Sequence, residues 1–445
     1  MEDNRIKSKK TMNPKTKRTI IALCLALLFA FSFVFGYFIK DIFGNGESAK
    51  VRDVIELIYK RGLFYDSDSL EKIDVTASDI ANSVIDDYLD EYSKYYTKEE
   101  YEAVKKSDDG EYDGIGLTFI TGETTINKVI LNSPADRIGL KKGDILKAFY
   151  INGTLYQITS LDQVKEYLKL AEEGSPFTVY YEREGIESSG EISKEEYIAS
   201  YISYQDNSVT MKFRTVDGKK VFTEIKDGES SVGNPLLDEK TAIITYQGFA
   251  RGSFEEMQTA FNYLKAHGKT KLILDLRDNG GGFMNILCDV SSFFIGREKI
   301  VAYAEDSAGI KTHFVSSKDC YQSYLESLSV IANENTASAS ECLLNALLYY
   351  GKDASYNFTA EKLIVENRDD SSLPAHTYGK GVMQETYELS RGGALKLTAA
   401  FIYSPDGKTC VQKKNPSGNR GIEAVLGNSA FNPDDALNFA IARLN

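Results

Sequence analysis

The 445-residue chain predicts a multidomain protein of mixed α/β (α+β) class with an N-terminal transmembrane helix ahead of its folded part. Three observations lead there. A composition of 42% hydrophobic and 26% charged residues supplies cores for two or three domains and argues against wholesale disorder. Residues 19–39 form one uncharged apolar run of membrane-spanning length. From about residue 195 onward strand and helix signals alternate, the pattern of a layered α/β domain with parallel strands.

Residues 1–18 form a basic tail, with seven Lys and Arg (Arg5 to Arg18) against Glu2 and Asp3. The positive-inside bias keeps such a tail cytoplasmic and places everything after Lys40 outside the membrane. A cleaved signal peptide is the competing reading of 19–39, but the run exceeds the usual apolar region and no small-x-small site follows it. Residues 40–50 read as a linker containing Gly44 and Gly46, and 51–107 as a helical, acidic lead-in in which Thr97 and Glu100 can form a capping box. Residues 108–192 switch to short strands and turns around one helical stretch, LDQVKEYLKLAEEG, and read as a compact mixed domain. Residues 193–445 carry the α/β core, including ILDL before FMNILCDVSSFFI and SLSVIA before a helix over 339–350.

The net charge of −13 includes a net +5 in the first eighteen residues, so the remainder carries −18. That acidity disfavours nucleic acid and anionic lipid surfaces as partners. Five cysteines lie without CxxC or metal spacing, and three histidines without HExxH, so neither a disulfide framework nor a zinc site is read, and no cofactor is expected.

Gly114-Ile115-Gly116-Leu117 opens a strand with two glycines, either an ordinary turn or a nest of amides able to hold a carboxylate. Downstream, Ser133-Pro134-Ala135-Asp136 and Gly139 to Leu146, with an Asn152-Gly153 hairpin turn, resemble the signature of bacterial PDZ domains. That resemblance implies β-augmentation by a C-terminal peptide whose carboxylate meets the glycine loop, with apolar pockets behind Leu117 and Phe119.

In Asn333-Glu334-Asn335-Thr336-Ala337-Ser338-Ala339-Ser340-Glu341, Ser338 falls at a strand-to-helix corner. Ser338-x-x-Glu341 is a capping box; equally, the free amides of a helix N-terminus could stabilise charge on a substrate carbonyl. No histidine stands in a triad context, so a nucleophilic serine would need another base. Lys380 lies between Gly379 and Gly381; as a base it must be buried enough for its pKa to fall, and otherwise it is a solvated turn lysine. Leu272 to Gly282 reads as a buried strand ending in a glycine-rich loop before a helix, and it lacks the GK[ST] of a phosphate loop.

Together these motifs resemble the C-terminal processing (tail-specific) serine peptidases of family S41. The resemblance implies Ser338 as nucleophile, Lys380 as base, Gln384 as its assistant, and an oxyanion hole from the amides of Ala339 and Gly281, with Gly282 as the alternative to Gly281. It extends over Leu89-Asp90-Glu91-Tyr92-Ser93, Gly110 to Gly116, Tyr246 to Phe249 and Gly421-Ile422-Glu423, and implies a homodimer through the lead-in. Three departures stand out: Gly280 where the family has proline, Ala424 where proline follows Gly-Ile-Glu, and a 42-residue gap from Ser338 to Lys380 lengthened by DASYNFTAE and NRDDSSLPAH.

The expectation is therefore a membrane-anchored endopeptidase acting outside the cytoplasm on proteins or peptides with exposed C-terminal tails. Two rivals stay open: a catalytically silent PDZ-based membrane receptor or adaptor, and a carrier of hydrophobic ligands on the same core.

Overall fold

The computed structural model describes residues 82–83, 85–87, 89–366, 375–390, 392–413, 420–423, 429–430 and 433–444. The basic tail, the apolar run 19–39, the linker and most of the lead-in lie outside the described residues. Among the described residues no helix is long and apolar enough to cross a membrane.

The described end of the lead-in differs from the all-helical expectation. Lys94–Tyr96 is a strand, β1, and Lys98–Asp108 the helix α1. The capping box at its start is present: Glu100 N donates to Thr97 Oγ1 at 3.2 Å and Thr97 N to Glu100 Oε2 at 2.8 Å. β1 carries Tyr95 and Tyr96, aromatic residues that favour strands, and pairs with a distant edge that sequence periodicity cannot see.

Next come β2 (Glu111–Gly114), β3 (Leu117–Phe119), β4 (Ile126–Val129), α2 (Pro134–Arg137), β5 (Ile145–Ile151), β6 (Thr154–Gln157), α3 (Leu161–Leu168), β7 (Pro176–Arg183) and β8 (Ile186–Ser193). β6, β5, β7 and β8 form one antiparallel sheet, and β3 pairs with β4. These elements close over their own apolar cluster, which includes Leu146, Phe149, Phe177 and Val179. Asn152 (φ 50°) and Gly153 (φ 78°) make the two-residue β5–β6 turn that the Asn-Gly pair predicts.

β9 (Glu195–Ile198) returns to β2. β10 (Ile202–Asp206), β11 (Thr210–Val216), β12 (Lys219–Asp227) and β13 (Ser230–Ser231) then form an antiparallel wing. Then follow β14 (Thr241–Tyr246), α4 (Ser253–Ala266), β15 (Lys271–Asp275), α5 (Met284–Ile295), β16 (Ile300–Asp306), β17 (Lys311–Val315), β18 (Ser327–Ala332), α6 (Ala339–Tyr350) and β19 (Leu363–Glu366); the wing joins the parallel centre through β10 and β14. The chain closes with β20 (Val382–Glu388), β21 (Ala394–Tyr403), β22 (Ser429–Ala430) and α7 (Pro433–Leu444).

The nine-stranded sheet runs β13-β12-β11-β10-β14-β15-β18-β19-β22 and is parallel from β14 to β22. Its central strands are buried on both faces, which is why they read as continuous apolar runs. Alternate residues serve opposite layers: Ala242, Ile244, Leu272 and Leu274 pack with α4, α5 and α6, while Ile243, Ile273, Ile331 and Ile364 meet Ala436 and Ala440 of α7. A second, antiparallel sheet runs β1-β21-β16-β17, with β20 also on β21. Because β15 and β18 are parallel neighbours, the loops leaving them emerge side by side at their carboxyl edge, where sheets of this kind place their sites.

Candidate active site

The loop after β18 turns into α6 at Ser338, whose backbone sits at φ 57°, ψ −118°. Only a strained corner holds a non-glycine residue there, and the same conformation presents a nucleophile at the tip of a strand-to-helix turn. The corner is fixed from below. Thr336 Oγ1 donates to Leu276 O at 2.8 Å and accepts from Asn333 N at 3.0 Å.

Asn279, fully buried, ties the glycine loop to this corner. Its carbonyl accepts from Ala337 N and Ser340 Oγ, both at 3.0 Å, and its Nδ2 donates to Tyr246 O at 2.9 Å. Asp278, at φ 60°, accepts from Asn333 Nδ2 at 3.1 Å and Asn335 Nδ2 at 2.9 Å. Two lysines of the small β-rich unit also grip it: Lys142 Nζ bonds its carboxylate, and Lys128 Nζ reaches its carbonyl at 3.4 Å and that of Gln247 at 3.0 Å.

The expected oxyanion donors separate. The Gly281 amide donates to Asn279 Oδ1 at 2.9 Å, so it is committed within its own loop. Gly280 and Gly282 line the cavity at Ser338 instead, which favours Gly282, the alternative the sequence left open. The Ala339 amide has no hydrogen-bond partner among the described residues. Gly281 nevertheless has a clear reason to be glycine: at φ 94°, a Cβ would lie 2.8 Å from both Ala337 O and Ala339 N. Gly281→Ala is expected to cost about 2 to 4 kcal/mol, through a disfavoured φ and overpacking against backbone. An unchanged denaturation midpoint would overturn this account of the loop.

Lys380 reaches the same cavity from the turn before β20. Its flanking glycines permit a close backbone approach: a Cβ on Gly379 would lie 2.4 Å from Arg420 Cβ, and one on Gly381 2.6 Å from Gln412 N. The Lys380 amine is pushed below the ordinary lysine pKa, first by burial and then by the neighbouring Lys396. Among the described residues Nζ makes no hydrogen bond to Ser338; it lies 4.9 Å from the ring centroid of Tyr92. Gln384 lines the cavity but donates to Thr398 Oγ1 at 3.2 Å rather than to Lys380.

The residue whose role sequence spacing understated is Glu341. Read there as a cap, it is buried, and its carboxylate joins both halves of the site. Oε2 accepts from Ser338 N and Lys380 N, both at 2.9 Å, and Oε1 from Thr377 Oγ1 at 2.6 Å and Gly379 N at 2.7 Å. Burial raises its pKa, while those four donors pull the other way.

The shared cavity measures about 480 Å³. Phe283, Met284, Cys342, Val382 and Ile402 give it apolar walls, with Asp108 and Lys396 as further charged lining. A serine on a strained corner and a desolvated amine lining one cleft, beside a glycine loop, suit acyl transfer. Gly114 to Leu117, by contrast, link β2 to β3 in the small β-rich unit, away from this cavity. Gly116 (φ 81°) is required there, since a Cβ would lie 2.1 Å from Ser133 Cβ.

Residues 240–353, which hold β14, β15, β18 and the Ser338 corner, match the model of Peptidase family S41. A "Probable CtpA-like serine protease" of Staphylococcus aureus (strain bovine RF122 / ET3-1) is 26% identical over 359 residues, 79% of this chain and 61% of its own length. A protein of the same name from Staphylococcus epidermidis (strain ATCC 12228 / FDA PCI 1200) is 25% identical over 348 residues, covering 77% of this chain and 60% of that protein. The chain thus spans about three fifths of these curated relatives. A solved photosystem II D1 C-terminal processing protease is 19% identical, with a TM-score of 0.48 over 88% of this chain and 92% of that one. The chain is thus similar to Peptidase family S41 over residues 240–353 and to CtpA-like serine proteases over most of its length.

Proposed function

We propose that the protein is a serine endopeptidase of the C-terminal processing type, in which Ser338 attacks a peptide carbonyl and Lys380 takes its proton. The observation that carries this reading is the convergence of the Ser338 corner and the Lys380 turn on one buried carboxylate, Glu341, while Ser338 and Lys380 both line one cleft. In the reaction, Lys380 Nζ leaves Tyr92 for the Ser338 hydroxyl, and the free amides of Ala339 and Gly282 receive the oxyanion. Lys380 then returns the proton to the leaving amine, and water attacks the acyl-enzyme. Gln384, which lines the same cavity, assists Lys380 as the motif resemblance implies.

The unit spanning residues 108–192 serves as a PDZ-type module that takes substrate tails at Gly114, Ile115, Gly116 and Leu117. Residues 19–39 anchor the chain in the membrane, with the cleft on the extracytoplasmic side. The sequence motifs and the topology of basic residues support these parts.

The test is covalent capture. The protein is treated with a serine-directed fluorophosphonate and mapped by mass spectrometry, alongside cleavage of an unstructured peptide with an apolar C-terminus. Adduct on Ser338 and internal cleavage are the expected results. Tail binding without adduct or cleavage would instead establish the silent adaptor.

A further inference from the structure

Lys380 Nζ has no hydrogen-bond or ion-pair partner among the described residues, and the group it meets is the ring of Tyr92, 4.9 Å away. Tyr92 sits in a turn that the Asp90 carboxylate organises. Asp90 Oδ1 accepts from Tyr92 N at 3.3 Å, Ser93 N at 3.0 Å and Ser93 Oγ at 2.8 Å. The chain then enters β1, where Lys94 pairs with Lys396 of β21.

Two further links tie this turn to the residues around Lys380. Against the effect of burial, Thr398 of β21 acts with Ser93 and Tyr92 to lower the Asp90 pKa, and it accepts from Gln384 Nε2 at 3.2 Å. Burial, the largest cause, holds the Tyr92 phenol above its ordinary pKa, and Glu91 and Tyr378, two residues before Lys380, act in the same direction. The turn leads directly into β1 on β21, and the face of the Tyr92 ring lies against the amine.

We propose that Tyr92 is a positioning residue for Lys380, its ring walling the amine off from water and keeping it at the edge of the cleft that Ser338 lines. This rests on the reading of Lys380 as the base. Two opposing effects follow from an aromatic face beside an amine. The π-system favours the charged form, whereas exclusion of water favours the neutral one. Burial is the largest influence on Lys380. On this proposal the ring, as part of what buries the amine, promotes the basic form. The other charged groups facing the amine are Lys396 of β21, which opposes a proton there, and Asp90 of the turn and Glu341 of α6, which favour one. All three remain when Tyr92 is changed.

The experiment is the pH dependence of kcat/KM for peptide cleavage by the full chain and by Tyr92→Ala and Tyr92→Phe, with a melting curve for each. Opening the wall in Tyr92→Ala should move the rising limb up by about one pH unit, since a tenfold change in protonation corresponds to one pKa unit. Activity near pH 7.5 then falls about tenfold and returns at higher pH. Tyr92→Phe keeps the ring and so keeps the limb.

A loss in Tyr92→Ala equal at every pH would reduce Tyr92 to a structural part and overturn the proposal. So would an equal shift in Tyr92→Phe, which would place the effect in the hydroxyl network. If Tyr92→Ala does not fold, Tyr92→Leu opens the ring face while keeping an apolar contact; a smaller shift of the same sign supports the proposal, and an unmoved limb refutes it. Lys380→Ala, assayed alongside, separates the two readings. Full activity in that variant sinks the base assignment itself, while an inactive Lys380→Ala with an unmoved Tyr92→Ala limb sinks only the role of Tyr92.

Discussion

Lys380→Ala is expected to lower kcat/KM on an unstructured peptide by roughly a thousandfold or more, as losses of a catalytic base in a nucleophile–base unit do. Ser338→Ala should fall to the same floor, and the double variant no further, because the two act as a unit. Folding should survive both changes. Removing a desolvated amine relieves a burial cost, so the melting temperature of Lys380→Ala should hold or rise.

The sign of the pH dependence follows from the same burial. A lysine whose folded pKa lies below its unfolded value is a base that becomes available as pH rises through the folded value, and over that window the folded state also gains stability. The wild-type rate should therefore rise with pH along a limb placed below the ordinary lysine value of about 10.4. A limb at that ordinary value would mean a solvated lysine and would defeat the assignment. Steady-state cleavage measured from pH 6 to 11, with calorimetric melting, decides both points.

Glu341→Gln is the second large effect, and it tests architecture rather than chemistry. The carboxylate accepts four hydrogen bonds from donors on both loops. A carboxamide of the same shape offers one acceptor oxygen and turns two N–H donors toward two others. Each buried donor left without an acceptor costs about 1 to 3 kcal/mol, so a loss of about 2 to 4 kcal/mol is expected from chemical denaturation. Activity should fall at least a hundredfold, because the serine corner and the lysine turn lose the group they share. A variant with wild-type stability and rate would show that the two loops hold their places without Glu341. Since burial raises the Glu341 pKa, this group alone makes the fold less stable as pH climbs through its folded value, opposite in sign to the contribution of Lys380.

Much of the scaffold was legible because its causes are local. The helix expected over 339–350 is found at Ala339–Tyr350, the Thr97–Glu100 capping box forms, and Asn152-Gly153 turns β5 into β6. Apolar runs marked the doubly buried strands β15 and β18, and the glycines beside Lys380 do allow close approach of backbone. Capping, turn chemistry and burial pattern each depend on a few neighbouring residues, and so a sequence states them directly.

The site was legible as a set of residues but not as a set of contacts. Sequence brought Ser338, Lys380, Gln384 and the glycine loop into one proposal. It did not show that Gly281 commits its amide to Asn279, or that Gln384 bonds Thr398 instead of the lysine. Neither Lys128 and Lys142 holding the Asp278 loop nor Tyr92 lying against Lys380 had a sequence signal, since these pairs are joined across 136 to 288 residues of chain. Composition and spacing thus determined which groups were available and which elements carry them. Only the tertiary structure decided which donor meets which acceptor, because a polar group in a closed core takes its partner from whatever packing brings within about 3 Å, not from its neighbours in sequence.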